Sequence, residues 1–161
     1  MSIRSVMQAA ANKIKPAIKK ELKNQGHYLT GNLERSLSDN VTSGPDGTRI
    51  TGTALGYARY VNDGFQAGSA SWAQLPYVIK YFIKRGLSTK EAKKAAGATI
   101  MTWMKEGMPT DNSRRFSKTN NRLKFLKVVN DAINRDIDKQ ILAGIDAEIS
   151  KTFNKTKSET I

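Results

Sequence analysis

Residues 56–68 read Gly56-Tyr57-Ala58-Arg59-Tyr60-Val61-Asn62-Asp63-Gly64-Phe65-Gln66-Ala67-Gly68, and nowhere else do aromatic, β-branched and glycine residues crowd together in this way. Side chains alternate faces along an extended chain, so Tyr57, Arg59 and Val61 would project to one side and Ala58, Tyr60 and Asn62 to the other. This predicts a strand over Tyr57–Val61. Asn-Asp-Gly then ends it, because Asn and Asp bond their own backbone and Gly accepts positive φ. Residues 65–73 are rich in Gly, Ala and Ser and read as an exposed loop carrying two large apolar groups, Phe65 and Trp72. Two fates are open to those rings: a partner's surface, or a return onto this chain's own core.

Upstream, residues 36–41 and 48–53 are extended-type stretches flanking Thr-Ser-Gly-Pro-Asp-Gly, whose Pro-Asp-Gly has the chemistry of a reversal. With Tyr57–Val61 they predict a small antiparallel meander. Before it, Ile3, Val6/Met7, Ala10, Ile14, Ala17/Ile18 and Leu22 recur at three- and four-residue steps, predicting an amphipathic helix from Ser2 to about Asn24. Pro16 lies inside this helix and predicts a kink or break near Lys15. Leu33 and Leu37 give a short helical piece after Gly31. His27, the single histidine, is expected to cap or pack beside the first helix rather than to act as acid or base.

After Pro76 the apolar period changes from two to about 3.6. Val78, Ile79, Phe82 and Ile83 predict a short helix with Pro76 in its first turn and Gly86 just past its end. Ser88-Thr89-Lys90-Glu91 matches a capping box and opens a helix that ends at Glu106-Gly107. Its inner face is Ala92, Ala95/Ala96, Thr99, Ile100 and Trp103/Met104. A polar loop follows, and from about Arg122 a last helix carries Leu126, Val129, Ile133, Ile137, Ile141, Ile145, Ile149 and Phe153. Some 30 residues span roughly 45 Å, longer than a domain of this size needs for its own core. Part of the stripe is therefore expected to meet another subunit or the first helix.

The expectation is a single α+β domain over residues 1–154. It has a small antiparallel β-sheet of three to four strands packed with the N-terminal helix, two middle helices and a long C-terminal helix. Residues 155–161 form a polar, frayed tail. At 161 residues the chain is long enough to bury its own core. It contains no cysteine, which excludes disulfides and thiolate metal sites. No apolar run approaches the roughly 20 residues that cross a bilayer, and Gln8, Asn12, Lys13 and Lys15 interrupt any secretory h-region.

The net charge of +13 is concentrated: residues 80–127 hold thirteen Lys/Arg against three Asp/Glu, or +10. Such a block attracts nucleic acid, an anionic membrane or an acidic protein, or it forms a solvated helix face. The basic-surface candidates are Lys80, Lys84, Arg85, Lys90, Lys93, Lys94, Arg114, Arg115 and Lys118. With Tyr77, Tyr81 and Phe82 nearby, a nucleic-acid surface is one reading of them, though Phe82 falls on the apolar stripe. Neither a phosphate loop, a zinc motif nor a serine-hydrolase elbow occurs, and no matched acid, base or nucleophile is legible. No enzymatic activity and no cofactor are expected.

Taken in order, the basic N-terminal helix, Thr30-Gly31-Asn32-Leu33 with Ser36, the hairpin, and Tyr57-Ala58-Arg59-Tyr60-Val61-Asn62-Asp63-Gly64 resemble the neck or tail-completion (head-tail joining) proteins of tailed bacteriophages. The similarity continues through the short helix from Pro76 to Gly86 and the exit Glu106-Gly107-Met108-Pro109. It departs at Phe65, where the family has Thr, and at 116–118, a loose match to its Pro-Phe-Leu segment. The resemblance implies a structural virion protein, made in the host cytoplasm and sited in the neck. It implies a homo-oligomeric ring, of six copies, between the head-closure or connector protein and the tail terminator or tail tube, with DNA in the lumen. Expected interface residues are Tyr57, Arg59, Tyr60, Phe65, Trp72, Ile141, Ile145 and Ile149. The alternative is a basic nucleic-acid-binding protein.

Overall fold

A computed structural model of the chain describes residues 2–27 and 30–159. It is α+β, with seven α-helices and one two-stranded antiparallel sheet among the described residues. The chain folds as two compact units. One comprises the N-terminal helix up to Leu22, residues 31–55 and the C-terminal helix; the other comprises residues 23–27, 30 and 56–124.

In the first unit, α1 (Ile3–Asn24) buries Val6, Ala10, Ala11 and Leu22. It runs through Pro16 as one element rather than breaking. The amide that proline lacks would have bonded the carbonyl of Asn12, an exposed residue. Gly31 takes φ 70° and opens α2 (Asn32–Ser36), which buries Leu33. Ser36 Oγ donates to the Leu33 carbonyl at 2.8 Å and accepts from the Leu55 N–H at 3.2 Å. The serine of the Thr-Gly-x-Leu-x-x-Ser element thus ties α2 to the segment leaving the hairpin. Lys15 and Lys19 on α1 lie 3.7 Å from Asp39 and Glu34 respectively.

The strands β1 (Ser38–Gly44) and β2 (Gly47–Thr53) pair in regular register from Ser38↔Thr53 to Gly44↔Gly47. They reach further into the turn than the sequence suggested, leaving only Pro45 and Asp46 between them. Gly47 sits at φ 119°, a conformation that admits glycine and few other residues. Val41 is the one buried residue of the hairpin.

The long helix α7 (Phe125–Glu159) has 35 residues, or about 52 Å. Its buried positions are Phe125, Val129 and Ile137. The stripe therefore starts at Phe125, not at the exposed Leu126. Gly144 is where α1 and α7 approach: a Cβ there would run into the side chain of Val6. At the other end, Gln25 Nε2 donates to the Leu123 carbonyl at 3.2 Å, just after α1 and just before α7. The two helices therefore run antiparallel. Residues 155–159, expected to fray, continue α7, while 160–161 lie outside the described residues.

In the second unit the predicted third strand is absent. Residues 58–63 form a helix, α3 (Ala58–Asp63), entered through Tyr57 in αR conformation. The Val61 N–H bonds the Tyr57 carbonyl and the Gly64 N–H bonds the Tyr60 carbonyl. A short run of apolar and aromatic residues has no periodicity of its own to choose between strand and helix, and the C-terminal end decides. There Lys124 N–H donates to the Asn62 carbonyl at 2.6 Å, and Lys124 Nζ lies 2.7 Å from Asp63 Oδ1. These contacts satisfy one orphan carbonyl and place a cation at the helix's negative end. Gly64 leaves at φ 68°.

A 3₁₀ turn (Trp72–Gln74) leads into α4 (Leu75–Lys84), with Pro76 in its first turn. Ser88 and Glu91 form the predicted capping box at the start of α5 (Thr89–Glu106). Val78, Ala96 and Ile100 are the buried centre, enclosed by Leu75, Ile79, Phe82, Trp103 and Met104. One short turn, α6 (Asp111–Arg114), is capped by Thr110.

Candidate interaction surfaces

The loop after α3 separates its two rings. The backbones of Phe65 and Met108 exchange both bonds, Phe65 N–H to Met108 O at 3.0 Å and Met108 N–H to Phe65 O at 2.8 Å. Gly68 N–H reaches the Met104 carbonyl at 2.8 Å. This clip turns the Phe65 ring edge-on to Trp103, centroids 5.6 Å apart and planes at 87°. Phe65, half-buried, thus packs on a ring of its own unit, a geometry worth about 1 kcal/mol beyond burial. Trp72 remains 51 % exposed. Tyr57, Arg59 and Tyr60 are exposed as well, carried by a helix in place of the predicted strand.

On α4 the inner face is Val78, Ile79 and Phe82, and Ile83, expected inside, is partly exposed. The outer face carries Tyr77, Lys80, Tyr81 and Lys84, all exposed, at the i, i+3, i+4, i+7 spacing that places side chains on one helix face. Tyr77 is 74 % exposed. The Arg85 guanidinium carbon stands 5.2 Å from the centroid of the Tyr81 ring, a cation–π distance. The Phe82 ring meets Tyr81 edge-on at 5.2 Å. Lys90, Lys93 and Lys94 are exposed at the start of α5.

Two of the remaining basic candidates are engaged locally: Arg114 Nε lies 3.7 Å from Asp111 Oδ1 and the Arg115 guanidinium stands 5.0 Å from the Phe116 ring centroid. Lys118 is exposed and its backbone N–H donates to the Asn24 carbonyl at 2.8 Å. The nine cations lie in one block of sequence; of them only Arg114 has an ion pair among the described residues, while Lys80, Lys84, Arg85, Lys90, Lys93 and Lys94, on α4, its C-cap and α5, have none. Of the three rings named beside that block, Tyr77 and Tyr81 are exposed and Phe82 packs inward.

Arg122 holds this unit's interior together. It donates from Nη1 to the Ser113 carbonyl at 3.1 Å and from Nη2 to the Gly26 carbonyl at 3.4 Å. His27 Nε2 lies 3.0 Å from the Arg122 carbonyl, as a donor to it. Desolvation by burial pushes the imidazole below its ordinary value, the carbonyl bond opposing and the guanidinium charge assisting. His27 thus packs against Arg122, just past the end of α1. Desolvation also lowers Arg122, with Tyr81 opposing and Arg85 adding to the effect. Asp63 is held below the usual carboxylate range, first by its hydrogen bond from Lys124 and then by that from Asn62.

The first unit's candidate surface is α7. Ile141 and Ile145 are half-buried and Ile149 is 56 % exposed. Phe153, the last residue of the predicted stripe, is 76 % exposed, and Leu142, not named from the sequence, extends the apolar face at 60 % exposure. Counting from the approach at Val6, α1 has only one further turn, back to Ile3, while α7 has residues 145–159, about 22 Å of helix. The end of α7 therefore outruns its antiparallel partner and carries Ile149 and Phe153 beyond it.

Among the described residues no group of three His, Cys, Asp or Glu side chains is placed to hold a metal ion, and no helix is long and apolar enough to cross a membrane. Set against family models, curated proteins and solved structures, the chain finds no match in any of the three.

Proposed function

We propose that this chain is a structural virion protein of a tailed bacteriophage, forming a homo-oligomeric ring in the neck between the head-closure or connector ring and the tail terminator or tube. The observation that carries the reading is the α7 arm, which outruns α1 with Ile149 and Phe153 exposed. A closed ring is built from heterologous contacts, in which one patch of a chain meets a different patch of the next. An apolar arm at one end of a subunit is such a patch. Trp72, Tyr57 and Tyr60, also exposed, supply amphipathic rings of the kind enriched at interfaces.

The order of parts supports the same reading: basic first helix, Thr30-Gly31-Asn32-Leu33, hairpin, Tyr57–Gly64, a short helix ending at Gly86 and a helix ending at Gly107-Met108-Pro109. A lone two-stranded hairpin is marginal and has two unpaired edges. In the ring, strands added between neighbouring copies would bring the sheet to three or four.

The test is to produce particles without this chain. Filled heads and separate tails are the expected products, and joined, infectious particles formed in its absence would overturn the reading. A free nucleic-acid-binding protein, favoured by the +10 charge of residues 80–127, would leave joining intact.

A further inference from the structure

From Gly64 to Lys90 the chain contains no Asp or Glu. Within that stretch α4 turns Tyr77, Lys80, Tyr81 and Lys84 outward, with Arg85 at its C-cap. Successive members of such a face lie about 6 Å apart, and each presents a phenol hydroxyl, an ammonium or a guanidinium. No carboxylate in the stretch neutralises them, and Lys80, Lys84 and Arg85 have no ion-pair partner among the described residues. Arg85 is held in place by the Tyr81 ring at 5.2 Å, so less side-chain freedom is lost when it meets an anion.

We infer that the outer face of α4, with Lys80, Lys84 and Arg85 as its cations and Tyr77 as a hydroxyl donor, binds the phosphate backbone of double-stranded DNA without reading its sequence. Lys, Arg and Tyr are among the groups that contact phosphate oxygens and fix a protein on a duplex. Backbone contact is favoured over base stacking because the Tyr81 ring is already engaged, by Phe82 at its edge and by the Arg85 guanidinium. This goes beyond the ring reading and does not depend on it, because a lone subunit would show it.

The experiment is fluorescence anisotropy of the purified full chain with a labelled mixed-sequence duplex over a salt series. Each phosphate neutralised contributes about 0.9 to the log–log salt slope on B-form DNA. A Lys80→Ala/Lys84→Ala/Arg85→Ala variant should therefore lower the slope by about 2.7 and weaken binding at 0.1 M salt by roughly 100- to 500-fold. A Lys13→Ala/Lys139→Ala/Lys151→Ala variant removes the same charge from exposed sites on α1 and α7 and should keep the wild-type slope. Circular dichroism establishes that both are folded.

The inference is overturned if the wild-type chain shows no duplex affinity at low salt, if the two triple variants lose slope equally, or if the α4 variant keeps it. It is overturned as well if a single strand of the same length binds more tightly than the duplex, since bases would then be stacking on Trp72 and Tyr77. Loss of DNA binding with ring assembly intact would separate this inference from the proposed function.

Discussion

Replacing both Ile149 and Phe153 with serine separates what the end of α7 does for its own chain from what it does for another. Full burial of an Ile or Phe side chain is worth about 1.5–3 kcal/mol. Scaled to the 56 % and 76 % still exposed, a neighbour that covers both gains about 3 kcal/mol from them. Losing it weakens each subunit contact by a factor of roughly 150. Within the single chain the same side chains contribute little, and exposed substitutions usually fall within about 0.5 kcal/mol. Sedimentation velocity over a concentration series reads the first quantity and a thermal melt the second. The expected result is a large shift of the association curve to higher concentration with a melting temperature within about 2 °C of wild type. Unchanged association would mean that no neighbour covers these side chains, and a fall in melting temperature of about 10 °C would mean that they pack on their own chain; either result overturns the interface assignment.

Two further outcomes follow from the second unit. Gly107 takes φ 79° and a Cβ there would strike the Phe65 carbonyl and the Ala67 amide, so Gly107→Ala should cost at least about 2 kcal/mol; Gly86→Ala, at φ 92° with open space around it, should cost about 1 kcal/mol, and paired urea titrations compare them. For His27 the folded value lies below 6.5, so the unfolded chain binds the proton more readily, stability rises with pH between the two values, and it is lost as pH falls from about 6.5 toward the folded value; urea midpoints should show that decline, and His27→Gln should flatten it.

Much of this fold was legible because several local signals agreed. Pro76 and Gly86 bracket α4, Ser88 and Glu91 open α5, and the apolar spacing between them is helical throughout; each signal is a backbone bond or a steric limit set within a few residues. Tyr57–Val61 was misread because its outcome is set from outside the run, by Lys124 bonding Asn62 and Asp63 some sixty residues later. The fate of Phe65 was open in the sequence for a similar reason: the Phe65–Met108 backbone exchange and the face of Trp103 are long-range. The break that Pro16 allowed does not occur, since α1 is one element from Ile3 to Asn24. The basic block was legible as composition, but the engagement of Arg114 and Arg115 near α6 depends on Asp111 and Phe116, and that of Arg85 on Tyr81. The length of α7 was visible in the isoleucine spacing, and its overhang needed the notch at Gly144.

The central claim, that copies of this chain close into a ring through unlike surfaces, is tested most directly by negative-stain imaging of the neck from intact particles with this chain labelled. A closed ring of labelled subunits at the head–tail junction is the predicted image. Label on the capsid shell, on the tail tip or in no particle at all would contradict the account.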